Sequence, residues 1–166
     1  MTDKYTIGTA APGAGHDAGV NPFADQLTRH GVPVGMWPML SAHGVGTLVE
    51  KLGIVFTEIT VERVVATMPV QGNQQVAGIL HGGASVALAE TLGSFAAAMH
   101  AGPTRRPVGL DINATHHRPG ISGLVTGVCT PIHLGRSTTA HEITIANEAG
   151  QRVCTARITN MLLDPS

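Results

Sequence analysis

Between Leu80 and Met99 the apolar residues fall at helical intervals. Leu88, Leu92, Phe95 and Met99 are spaced four, three and four apart, which lays them along one face. The other faces are almost as apolar, being filled by Val86, Ala87, Ala97 and Ala98. This spacing predicts a helix from about Gly83 to His100, stopped by Gly102 and Pro103. A helix that is apolar all round needs cover on more than one side.

Elsewhere the period shortens to two. Leu48 to Ile59 and Val61 to Val70 are rich in Val, Ile and Thr, and the short join between them predicts a hairpin, with Gly53 as a bulge or bend. Gln71 to Gly78 is a polar loop into the central helix. After the helix, Val108 to His117 alternates: Val108, Leu110, Ile112, Ala114 and His116 share one face, Asp111, Asn113, Thr115 and His117 the other. Strands are then expected over Gly123 to Leu134, Ser137 to Asn147 and Gln151 to Leu162, separated by Pro119-Gly120, Gly135 and Glu148-Ala149-Gly150. Short turns imply antiparallel neighbours. Two strands, one long helix and four more strands make an α+β architecture, a single antiparallel sheet against one apolar helix.

The first 36 residues interrupt every period with glycine and proline, so residues 1–36 are read as an extension and 37–166 as the domain. A short helix is expected around Asp25 to His30, another from Trp37 to about His43, and disorder before Asn21. At 166 residues the chain suits one domain with a full core. A formal net charge of −1 gives no basic field for nucleic acid, and 3 % aromatic residues leave little for base stacking. No basic region followed by an apolar run opens the chain, and the central helix is too short and polar to span a bilayer. The two cysteines, Cys129 and Cys154, read as reduced core residues. These features together predict a cytoplasmic protein that binds neither membrane nor nucleic acid.

Candidate chemistry sits on the central helix. Glu90 stands in its middle, with Ser94 one turn later on the same side. A carboxylate in apolar surroundings calls for a partner or a use. Gly82 and Gly83 leave the first helical amides uncovered, where the helix dipole favours an anion or a polarised carbonyl. Hydrolysis at a carbonyl carbon needs such a donor and a base or nucleophile on opposite sides of that carbon. Gly82 and Glu90, however, are about 12 Å apart along a helix rising ~1.5 Å per residue. Two copies packed side by side in opposite directions would bring one helix mouth to the other copy's carboxylate. An obligate dimer with two shared sites is therefore expected. Arg105, Arg106, Arg118 and Arg136 offer guanidinium groups for phosphates, Arg136 being best placed. No His-x-His or His-x-x-x-His spacing joins the nine histidines, so no metal is expected. Structural alternatives stand beside each of these: Glu90 in an ion pair, His81 as a loop residue, His116 as a hydrogen-bonded core histidine, Ser94 as a small residue that lets helices approach.

The run His81-Gly82-Gly83, then Leu88-Ala89-Glu90 and Ser94, then Val108 to Ala114 with His116, then His133-Leu134-Gly135 resembles the hotdog-fold acyl-CoA thioesterases. The likeness covers roughly Gly44 to Leu163 and is to the 4-hydroxybenzoyl-CoA and phenylacetic-acid-degradation type with a glutamate on the helix, the subgroup of the enterobactin proofreading and dihydroxynaphthoyl-CoA thioesterases. It implies a six-stranded antiparallel sheet wrapped around one long central helix. Glu90 would be the catalytic nucleophile or general base, and the Gly82 N–H the group that polarises the thioester carbonyl. His81 and Gln75 would position the thioester or the attacking water, and Ser94 would orient that water. His116 and Gly83 would contact the substrate, and His133, Leu134, Gly135, Arg136 and Ser137 would lie along the coenzyme A nucleotide. The substrate would be an aromatic or medium-chain acyl-CoA, with no cofactor beyond the CoA it carries. The assembly would be a homodimer, two of which join into a tetramer. A non-catalytic acyl-CoA sensor on the same fold is the alternative function. A hotdog hydratase fits less well, because its Asp and His, five residues apart at the helix start, have no counterpart here.

Overall fold

The computed structural model describes residues 21–40 and 42–164. The expected disorder before Asn21 lies outside the described residues. Ten elements follow in order: α1 (Ala24–Arg29), a 3₁₀ helix (Val34–Leu40), α2 (Thr47–Leu52), β1 (Val55–Ile59), β2 (Val64–Pro69), α3 (Gly82–Ala101), β3 (Arg106–His116), β4 (Leu124–Leu134), β5 (Thr138–Asn147) and β6 (Arg152–Leu163). The six strands form one antiparallel sheet in the order β1-β2-β4-β5-β6-β3, and α3 packs across it. The connection through α3 carries the chain from β2 to the far edge, so β3 ends the sheet beside β6. No helix among the described residues is long and apolar enough to cross a membrane.

Register explains how the sheet accepts the helix. Val64, Cys129, Ile143, Ala156 and Ala114 stand opposite one another across five strands, an apolar row on the helix side. The next row runs Ala66, Gly127, Ile145, Cys154 and His116, ending at the β3 edge. Leu88 and Leu92 of α3 reach into this surface and are fully buried. Gly127 makes room for them, since a Cβ there would stand 2.5 Å from Leu92 Cδ1. In the other direction Gly93 lets Ile158 approach the helix backbone. Phe56 and Phe95 stack at 4.4 Å, and Leu27, Val32 and Met36 join the same buried cluster.

Three expectations are corrected. Leu48 to Gly53 is not strand: Thr47–Leu52 is α2, and Gly53 takes a left-handed φ of 67° as its C-cap. Leu48, Val49 and Leu52 fit both periods in so short a window, and Gly46 and Gly53 decide for a helical turn with Val49 buried. Second, the 3₁₀ helix begins at Val34, where Trp37 Nε1 donates to Val32 O at 3.1 Å, and it ends at Leu40 rather than His43. Third, β3 does not keep one apolar face. Its register with β6 slips between Gly109 and Asp111, leaving Leu110 as an extra residue. Ile112 and Ala114 pack on the core, while Val108 and Leu110 turn outward.

Candidate functional site

The loop before α3 is pinned at several points, which fixes where the helix begins. Asn73 Nδ2 donates to Leu52 O at 2.8 Å and Pro69 O at 2.9 Å, and Asn73 O accepts from His81 N at 2.9 Å. Leu80 N donates to Gly120 O at 2.8 Å, tying the loop to the turn after β3. His81 is therefore held as the N-cap, with extended backbone.

The first-turn amides of α3 have different fates. Gly83 N donates to His81 Nδ1 at 2.8 Å. Because that nitrogen accepts, the proton of the neutral ring sits on Nε2. Ala84 N and Ser85 N both return to His81 O. Among the described residues the Gly82 N–H is left without a partner. It opens into a cleft of about 590 Å³ shared with Gln75, Leu80, Ser85, His116 and Arg118. His116, at the end of β3, brings its Nε2 to 2.8 Å from the point a Gly82 Cβ would occupy. Four sequence candidates, Gln75, Gly82, His116 and the capping His81 beside them, thus meet at one helix mouth.

Glu90 is elsewhere. Eight residues along α3, about 12 Å away at ~1.5 Å per residue, it overlies a recess of about 180 Å³ formed with Gly109, Leu110, Asp111, Ile112 and Ile158. The Glu90 side chain is exposed rather than enclosed by the apolar residues around it in the sequence. It lies on a stripe of α3 that the sheet leaves partly uncovered: Val86, Ala87, Glu90, Ser94 and Ala98. Ser94 faces a third cavity, about 320 Å³, whose walls include Met36, Met39, Leu40, Phe95, Ala98 and Pro107. Arg105 and Arg106 stand at its rim.

His133 and Leu134 end β4, and Gly135 to Ser137 form the β4–β5 turn, at the opposite end of α3. There His100 Nε2 is 2.9 Å from Gly135 O, and Arg105 Nη1 donates to Arg136 O at 2.7 Å. Gly135 N donates to Thr138 O at 2.9 Å, closing the turn and leaving the Arg136 side chain exposed. Along one helix this turn is about 27 Å from Gly82 at ~1.5 Å per residue. One chain alone does not bring it to the mouth.

Sequence reasoning passed over a second polar group. Thr139, His141 and Asn160 are buried on the helix side of β5 and β6, and their side-chain polar atoms have no partners among the described residues. Burial, aided by the charge of His100, pushes the His141 pKa down to about 4. The signal available in the sequence was parity: in β6 the inward positions read Cys154, Ala156, Ile158, Asn160, Leu162, a lone amide among apolar residues. Burial pushes the Cys129 thiol up to about 12 and raises that of Cys154, so neither is a ready nucleophile. No group of three or more His, Cys, Asp or Glu suited to a metal occurs among the described residues.

Residues 77–154 match the thioesterase superfamily. The chain is 49% identical over 125 residues to the proofreading thioesterase EntH of Cronobacter sakazakii, covering 75% of this chain and 91% of that protein. Among solved structures, thioesterase HI1161 of Haemophilus influenzae is 38% identical with a TM-score of 0.71, covering 82% of this chain and 94% of that one. A mutant of thioesterase PA1618 from Pseudomonas aeruginosa is 40% identical with a TM-score of 0.68, covering 70% and 86%.

Proposed function

The chain belongs to the thioesterase superfamily, is a thioester hydrolase and has the hotdog fold; from that premise we propose that it hydrolyses an aromatic or medium-chain acyl-CoA to the free acid and CoA at a site shared by two protomers. One observation carries the reading. The unpartnered Gly82 N–H and Glu90 lie on one helix yet open into different recesses, about 12 Å apart at ~1.5 Å per residue. Neither recess holds both a polarising donor and a carboxylate. The partly uncovered stripe of α3 and the edge strand β3, with Val108 and Leu110 exposed, are the surfaces a second copy would cover. An antiparallel neighbour then sets the mouth of one helix against Glu90 of the other. Two such dimers would form the tetramer.

In this site the Gly82 N–H, at the positive end of the helix, donates to the thioester oxygen as charge builds on it. Gln75, His81 and His116 line the approach and hold the thioester or the water. Glu90 acts in one of two ways. As a base it takes a proton from water, whose oxygen bonds to the acyl carbon; as a nucleophile it forms an anhydride that water then opens. In both routes the C–S bond breaks and the sulfur leaves with its electron pair and is protonated as CoA; the base route puts the water oxygen in the acid, and the anhydride route puts it in the acid or in the Glu90 carboxylate according to which carbonyl water attacks. Ser94, one turn beyond, orients that water. The cavity of Met36, Met39, Leu40, Phe95 and Ala98 next to Ser94 suits an apolar acyl group. Arg136, in the β4–β5 turn with Gly135 and Ser137 and just after His133 and Leu134 of β4, supplies a guanidinium for the nucleotide phosphates.

Release of free CoA, followed with a thiol-reactive dye over a panel of aromatic and aliphatic acyl-CoAs, tests the reading. Glu90→Ala is expected to abolish turnover while folding and assembly persist. Equal rates in both proteins would remove Glu90 from the mechanism. Tight acyl-CoA binding without turnover by the native protein would contradict the assigned substrate.

A further inference from the structure

We propose that Asn160 is a positioning residue for Glu90, its amide donating to the carboxylate directly or through one water across a gap kept open by Gly109. The inference rests on the reading of Glu90 as the reacting group. Asn160 is only 1% exposed, and among the described residues neither its side-chain oxygen nor its nitrogen has a hydrogen-bond partner. Buried amides in folded proteins are paired, so this one has a partner to find. Among the described residues the Glu90 carboxylate also has no hydrogen-bond partner, and it lies close by. A Cβ placed on Gly109 would be 3.7 Å from Glu90 Oε1 and 3.9 Å from Asn160 Oδ1, so both side chains converge on the same empty point.

The backbone accounts for that convergence. Gly109 and Asn160 are register partners, and the slip in β3 follows at once, between Gly109 and Asp111. The extra residue Leu110 turns Gly109 toward the helix, and glycine puts nothing in the space it gains. An ionised carboxylate only accepts, so the donor must be the amide NH₂; a half-turn about χ2 exchanges it with the oxygen now facing Gly109. The amide oxygen then turns toward Thr139, the register partner of Asn160 on β5, whose buried hydroxyl is also unpaired. Facing side chains on paired strands are within reach of each other. The chain runs in one direction: the Thr139 hydroxyl donates to Asn160, and Asn160 to Glu90. One carboxylate oxygen is anchored, and the other remains free for the thioester or the water.

The test uses two substitutions that leave Glu90 in place. Asn160→Leu keeps the branched shape, at a larger volume, and removes the donor. Gly109→Ala puts a methyl into the gap at ordinary contact distance, and Gly109 has no positive φ to forbid it. Both are expected to lower kcat roughly 10- to 100-fold, with KM within about twofold and no fall in melting temperature for Asn160→Leu, the signature of misdirected catalysis. A crystal structure should show the amide within about 3.2 Å of Glu90, or one water bonded to both. Native kcat in Asn160→Leu, or a crystal in which the amide is bonded only to Thr139 or His141, would overturn the proposal. An inactive Glu90→Ala with a normal Asn160→Leu sinks this inference alone, whereas a fully active Glu90→Ala sinks the reading of Glu90 and this inference with it.

Discussion

His116 Nε2 stands 2.8 Å from where a Cβ on Gly82 would be, so the imidazole at the end of β3 rests against the bare Cα of the first residue of α3. The glycine is required by its neighbour, not by its backbone angles. Any side chain there must push His116 aside and partly cover the N–H that the helix leaves free. Gly82→Ala is therefore expected to lower kcat/KM about 100-fold, the scale of losing one oxyanion donor. Helix propensity runs the other way, since Ala in place of Gly favours a helix by up to about 1 kcal/mol. A variant with a near-native melting temperature and poor turnover is the expected result, read by thermal denaturation beside CoA release.

The shared site makes a quantitative claim about mixtures. If each site takes Gly82 from one protomer and Glu90 from the other, a heterodimer of Glu90→Ala and Gly82→Ala chains contains one intact site and one doubly damaged site. Random reassortment of equal amounts makes about half the dimers mixed, and activity should recover to about a quarter of native. Recovery at the level of the two variants alone would place both residues in one protomer's site.

Much of this was legible in the sequence, and what was not has identifiable causes. The helix α3 is plain because Leu88, Leu92, Phe95 and Met99 keep one period over about three turns and Gly102-Pro103 ends it. The strands after it were delimited by Pro119-Gly120, Gly135 and Glu148-Ala149-Gly150. Leu48 to Leu52 reads either way because so short a segment, apolar at Leu48, Val49 and Leu52, satisfies both periods, and only Gly46 and Gly53 separate them. The slip at Leu110 left no mark, because Val108, Leu110 and Ile112 alternate without a break; the extra residue exists only relative to β6. The exposure of Glu90 depends on which stripe of α3 the sheet covers, a matter of packing rather than of pattern. Gly82 and His116 are far apart in the chain, and sequence spacing gives no sign of their contact.

His141 gives stability a pH dependence separable from catalysis. Its ring is fully buried, and its pKa is held down to about 4 from an ordinary 6.5 by burial and by His100. Between those values the unfolded chain binds a proton at this position and the folded chain does not, so acid favours unfolding. The contribution is complete above pH 6.5 and is lost progressively as the pH falls toward 4. Urea titrations at about pH 7.5 and about pH 5 should differ by on the order of 2 kcal/mol through this residue. His141→Phe should flatten that difference; an unchanged pH slope would show that the ring is not buried neutral.

Arg136 separates recognition of the nucleotide from recognition of the acyl group. Its carbonyl is held by Arg105 Nη1 at 2.7 Å, so the turn is fixed while the Arg136 guanidinium projects into solvent. A rigid turn with a free guanidinium is pre-organised for phosphate, and replacing the side chain should leave the turn intact. Arg136→Ala is expected to raise KM for an acyl-CoA about 5- to 20-fold with kcat nearly unchanged, the pattern of lost uniform binding. The same acyl group on pantetheine, which lacks the nucleotide, should be hydrolysed equally by native and variant proteins. Raised ionic strength should narrow the gap between the two proteins on acyl-CoA, because an exposed charge pair is screened within about 10 Å at ~0.1 M salt. A KM that rises equally for both thioesters would move the nucleotide away from this turn.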